Sequence, residues 1–148
     1  MTSRLRSFLF AEPMPRVGYG FVALRLVVAA IWINSDIPKL VALAAGQPNG
    51  LVRNLFGSSM AIPLTYFFTF LEILGAVAFT LGLLVRLASV WGVIEFAIIC
   101  TNSVLAGNIG AAIAGLNPLM FTASLVLLLN GSPKLSLDGL IAKHKTSK

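Results

Sequence analysis

The chain has 148 residues, of which 57% are hydrophobic and only 11% charged, and its mean hydropathy is +0.92. Soluble domains carry about 25% charged residues, so this composition excludes a soluble enzyme, and the length leaves no room for a separate catalytic domain beside several membrane spans. The net charge of +6 does not point to nucleic acid, because the lysines and arginines gather at the chain ends and in short connections, as juxtamembrane anchors do.

At the N-terminus, the apolar run 7–11 is too short for a signal-peptide core, and Glu12, Pro13 and Pro15 follow it. The expectation is that this segment is retained and lies at the membrane interface. A first span is predicted over residues 17–39, ending where Pro38 breaks it. The connection 41–60 holds Gly46, Pro48, Asn49, Gly50 and Gly57 and reads as an external loop with a short interfacial turn around 51–56. A second span covers 61–84, with Ser58 or Ser59 as its cap and Pro63 tolerated in its first turn. The connection at 85–86 is tight. A third span covers 87–107, a second tight connection lies at 108–110, and a fourth span covers 111–129 with a kink at Pro118. About 20 apolar residues cross the bilayer, and tight connections force antiparallel neighbours. The predicted fold is therefore an all-α membrane protein, a single domain in the form of an antiparallel four-transmembrane-helix bundle.

Arg4, Arg6, Arg16, Arg86, Lys134, Lys143, Lys145 and Lys148 fall on one side of this topology, and Lys39 and Arg53 on the other. The positive-inside rule then puts both termini in the cytoplasm of a cell whose cytoplasmic membrane the chain crosses. Residues 131–148 read as an interfacial basic tail, in which Ser132 and Pro133 start a short helix with Leu135, Leu137, Leu140 and Ile141 on its apolar side.

The chemistry-bearing residues lie inside the spans. Arg25, Trp32, Asp36 and Lys39 share one stripe of the first span; Glu72, Gly75, Phe79 and Gly82 share one of the second; Gly92, Glu95, Ile99, Asn102 and Ala106 align in the third, with Ser103 beside them. Glycine on the same face as a carboxylate marks a helix-packing surface, so these faces should meet. Depth counted along each helix places Arg25 level with Glu95 and Glu72 nearer the midplane. The expectation is a central Arg25–Glu95/Glu72 cluster that forms a proton or ligand site, with Asp36, Lys39, Asn102 and Asn117 as a polar entrance on the outer side. The same charges can instead fix the register of the bundle, and the sequence leaves both readings open. Trp32, Trp91 and Tyr66 read as packing or interface residues, and Phe67, Phe68 and Phe70 as lipid-facing. Cys100 reads as a buried thiol. With one cysteine and one histidine, His144, the chain supplies neither a disulfide nor a metal or haem ligand set of its own. The stretch GNIGAAIAG (107–115) follows no strand and lacks the phosphate-loop lysine.

Arg25, IPKL (37–40), EILG (72–75), LGLLVR (81–86) and GSPKLSLD (131–138) recur in this order. The set resembles the DoxX/DoxD-like family of small four-helix membrane proteins, over residues 20–138. Asp36 departs from the pattern, standing where the family has a small residue, usually glycine. The family is named after a subunit of an archaeal thiosulfate:quinone oxidoreductase. The resemblance implies a membrane subunit of a larger complex linked to quinone-dependent redox chemistry, with quinone as substrate, no cofactor within the chain, and a redox partner subunit holding the electron donor. The alternatives are a non-catalytic membrane anchor or assembly subunit, and a small-molecule or lipid binding or transport module. A homo-oligomer is compatible with each.

Overall fold

The structure is a computed structural model and describes residues 18–131 and 136–138. The expected N-terminal interfacial segment and nearly all of the basic tail lie outside the described residues. Among the described residues the chain is all-helical and has no strand: α1 (Gly18–Ala44), α2 (Gly50–Phe56), α3 (Ser58–Leu81), α4 (Val85–Leu105), α5 (Ile109–Ala114) and α6 (Leu116–Asn130). Three of these, α1, α3 and α4, are long and apolar enough to cross a membrane.

The distribution of side chains is the reverse of a soluble core. Val27, Ile37, Val41, Phe67, Phe70, Leu87 and Ile94 stand outward, whereas Arg25, Asp36, Thr65, Thr69, Glu72, Ser89 and Ser124 are buried. Hydrocarbon is as apolar as leucine, so membrane helices turn their small and polar faces toward one another and their large apolar residues toward lipid. The chain is a multi-pass membrane protein.

α1 packs along α3 and α4 along α6; the α3–α4 hairpin joins the two pairs, and α2 lies against α3. Trp32, 1% exposed, is the centre of the packing. It stacks on Phe79 at 5.2 Å and on Phe96 at 6.4 Å between centroids. A Cβ at Gly75 would sit 2.5 Å from Cζ3 of Trp32, and one at Gly92 would sit 2.5 Å from Oγ of Ser124 and 3.3 Å from Trp32. The two glycines therefore admit the indole where any other residue would push the helices apart.

Two expectations are corrected. Pro38 does not end the first span; it sits inside α1, which continues to Ala44. A proline removes one helical hydrogen bond, and membrane helices tolerate it because neighbouring groups re-satisfy the freed backbone. The fourth span, predicted over 111–129, is divided into α5 and α6 at Gly115. A continuous helix would drive the Pro118 ring into the carbonyl of Ala114, four residues earlier. The chain instead turns extended at Gly115 (φ −82°, ψ 178°), which leaves Pro118 in the first turn of α6, where its missing N–H is no loss. With 15 residues, α6 is only ~22 Å long, short of the ~30 Å hydrocarbon core.

Candidate functional site

The extension of α1 past Pro38 places Lys39 on an ordered helix facing α3. Cα–Cβ bonds tilt toward a helix N-terminus, so the Lys39 side chain runs back into the bundle. Its Nζ donates to Oδ1 of Asp36 at 3.1 Å and to Oε2 of Glu72. Glu72 lies within side-chain reach of the carboxyls of both Asp36 and Glu95. Asp36 and Glu72 are 2% and 4% exposed. The cluster thus holds three carboxyls and one ammonium. One ammonium balances one carboxylate; in a low-dielectric interior the other two need protons or a bound partner for neutrality. Among the described residues, no group of His, Cys, Asp or Glu side chains is arranged to hold a metal ion.

A cavity of about 140 Å³ opens beside this cluster, with Lys39, Glu72 and Glu95 at one end and α2 over it. Phe68, Thr69 and Trp91 form its wall, and Phe68 stacks on Trp91 at 5.5 Å. The roof is held in place by polar contacts: Oδ1 of Asn49 accepts from the Leu51 N–H at 2.8 Å and so caps α2, while the Asn49 N–H donates to Oγ1 of Thr65 at 3.2 Å.

Arg25 is elsewhere. It does not line the cavity and lies ~21 Å along α1 from Lys39. The expected Arg25–Glu95/Glu72 cluster does not form; Lys39 supplies the cation. The aromatic layer Trp32, Phe79 and Phe96 occupies the level between the two positions. Arg25 also points toward the N-terminus of α1, which brings its guanidinium against Gly82 and Ser136 and within electrostatic reach of Asp138.

That end of the molecule is a second polar region. Gly82 takes a left-handed conformation (φ 66°, ψ 36°) and closes α3; the Leu83 N–H reaches the Ala78 carbonyl at 2.9 Å and the Gly82 N–H the Phe79 carbonyl at 3.3 Å, a glycine-closed helix end. Leu84 is also left-handed (φ 51°) and offers α4 no side-chain cap. Asp138, far along the chain, supplies one: its carboxylate accepts from the Leu84 N–H at 2.9 Å and the Val85 N–H at 3.3 Å, and its own N–H donates to the Gly82 carbonyl at 3.1 Å. Anionic caps suit a helix N-terminus. Nη2 of Arg86 donates to the Leu129 carbonyl at 3.4 Å, at the end of α6.

Of the other expected entrance residues, Asp36 is buried in the lysine cluster, while Asn102 and Asn117 are half-buried and line no part of the cavity. Residues that sequence reasoning set aside do line it: Trp91, Phe68 and the 51–56 helix. Their signal was helical spacing, since Phe68 with Glu72, and Trp91 with Glu95, are pairs four residues apart on one face.

No curated protein and no solved structure matches the chain. The family described as TQO small subunit DoxD does match, over residues 51–148. That segment holds Glu72, Glu95, the 81–86 turn and the segment carrying Asp138, so the match covers both polar regions apart from Asn49 and the residues contributed by α1, and the chain belongs to the DoxD family.

Proposed function

We propose that this chain is the membrane-embedded small subunit of a thiosulfate:quinone oxidoreductase-type complex. It sits in the cytoplasmic membrane with both termini inside, and the cavity beside Lys39, Glu72 and Glu95 holds a quinone headgroup. A partner subunit delivers the electrons. Reduction of a quinone to a quinol takes two electrons and two protons, one proton for each ring oxygen. Glu95 hands protons to the ring oxygens one at a time, and Glu72, lying between Asp36 and Glu95 beside Lys39, passes it their replacements, so that the cluster keeps the one carboxylate charge that Lys39 balances.

The observation that carries this reading is a lysine and two carboxyls, Lys39, Glu72 and Glu95, at the closed end of a ring-sized cavity among membrane-crossing helices, with Asp36 bonded to Lys39 behind them. Ionisable residues at such depth mark proton relays and ligand sites. An apolar cavity of ~150 Å³ takes a benzene ring, so about 140 Å³ accommodates one quinone ring.

The anchor reading has an observation of its own: the Lys39–Glu72 pair ties α1 to α3. One variant separates the two. In Glu72→Gln the expected outcome is a complex that still assembles in native membranes, with thiosulfate-dependent quinone reduction lowered about 100-fold, within the usual worth of a proton-transfer group. Disappearance of the complex would make the charge structural. Full activity in an assembled complex would remove Glu72 from the proton route.

A further inference from the structure

The cavity has two ends of opposite character. Its closed end is charged. Its rim is apolar and faces outward: Leu55 is 48% exposed, Phe56 50% and Ile98 44%. On a surface where Ile37, Phe70 and Leu87 also stand outward, such a rim meets hydrocarbon. An aromatic wall joins the ends, with Phe56 and Phe68 at 6.1 Å and Phe68 and Trp91 at 5.5 Å between centroids. Trp91 and Glu95 are four residues apart and share a face of α4. Nε1 of Trp91 and Oε2 of Glu95 are both buried, and neither has a hydrogen-bond partner among the described residues. A buried donor or acceptor left unmade is unfavourable; a ring oxygen accepts, so it satisfies the Trp91 N–H directly, and it satisfies Glu95 in the protonated form, whose O–H donates to it.

We infer that the cavity is filled from the bilayer by a quinone bearing a hydrocarbon tail: the ring lies along the Phe68–Trp91 wall, one ring oxygen accepts from Nε1–H of Trp91, the other faces Glu95 and Lys39, and the tail leaves over Leu55, Phe56 and Ile98. This rests on the quinone reading above and adds the direction of entry and the neutral donor.

The test is calorimetric binding to the full-length protein in lipid nanodiscs, using a decyl-tailed benzoquinone and the same ring without the tail, compared at equal bilayer concentration. The wild type is expected to bind the tailed ring at least tenfold more tightly. The rim variant Leu55→Ser/Ile98→Ser, which leaves the aromatic wall and the buried core untouched, is expected to close that gap to within twofold while binding the bare ring as before. Trp91→Phe keeps the stacking surface and is expected to weaken both quinones about tenfold. A gap that survives in the rim variant overturns the entry route, and unchanged binding in Trp91→Phe overturns the donor assignment; in both cases the quinone reading stands. A wild-type protein that binds neither ring overturns the quinone reading itself, and this inference with it.

Discussion

The two polar regions of this bundle use charge in opposite ways. At the 82–86 turn the charged groups lie against backbone: Asp138 caps α4, Arg86 reaches the Leu129 carbonyl of α6, and Arg25 lies against Gly82. No space is left there, since a Cβ at Gly82 would meet Ser136 at 2.6 Å and one at Gly131 would meet Arg86 at 2.5 Å. At the other end, three carboxyls share one lysine beside an open cavity. A filled region whose charges terminate helices is architecture. A region with surplus acid, unmade hydrogen bonds and room for a ring is what the proposed quinone site requires. Between them stands the layer of Trp32, Phe79 and Phe96, which keeps the arginine of one region from neutralising the acids of the other.

The contrast is broken most severely by removing its cation. Lys39→Met strands Glu72 and Asp36 among apolar helices and should cost about 3–5 kcal/mol, read as a large fall in the thermal midpoint in detergent. Lys39→Met/Glu72→Leu, which removes both members of the interhelical pair, should recover much of that loss, because replacing a buried pair with packed apolar groups is often close to neutral. Gly82→Val tests the filled region. A β-branched side chain in a left-handed conformation that also displaces Arg25 and Ser136 should destabilise by ~2–4 kcal/mol, seen as poor accumulation in membranes. Asp138→Ala removes the cap of α4 and the carboxylate within reach of Arg25 and should cost about 1–2 kcal/mol in the same unfolding measurement, with quinone reduction retained in the folded fraction. The smallest effect is expected outside both regions: Asn102→Ala and Asn117→Ala should leave quinone reduction by the assembled complex within about twofold of wild type, since neither residue lines the cavity.

Much of this arrangement was legible in the sequence, for identifiable reasons. Long apolar runs with a bilayer's length requirement gave α1, α3 and α4, and the stripe holding Glu72, Gly75 and Phe79 correctly marked a packing face. The fourth span was read as one helix kinked at Pro118, and the break falls instead at Gly115, because the Pro118 ring forbids the helix from running on through Ala114. The Arg25 cluster failed for a related reason. Counting rise along each axis locates Cα atoms, whereas arginine and lysine reach several ångströms further in a direction set by the helix. Both side chains lean toward the N-terminus of α1, so Arg25 leaves the level of Glu95 and Lys39 enters the bundle. Ending the first span at Pro38 hid the same fact, because it left Lys39, though on the packing stripe, at the outer end of the helix as an entrance residue. The cap on α4 was not legible at all: Asp138 is separated from Leu84 by more than fifty residues, and no local pattern announces such a pairing. The family pattern had contained both partners, as LGLLVR and SLD, without saying that they touch.

The central claim is that Lys39, and not Arg25, is the cation that answers the buried acids. Two double-mutant cycles on unfolding free energy in detergent test it directly, one for Lys39→Met with Glu72→Gln and one for Arg25→Met with Glu72→Gln. Residues in contact couple by about 0.5–3 kcal/mol, and distant ones add to within ~0.5 kcal/mol. The account predicts coupling above about 1.5 kcal/mol for the first pair, toward the upper part of that range, and additivity for the second. Strong coupling between Arg25 and Glu72, with Lys39 and Glu72 additive, would contradict it.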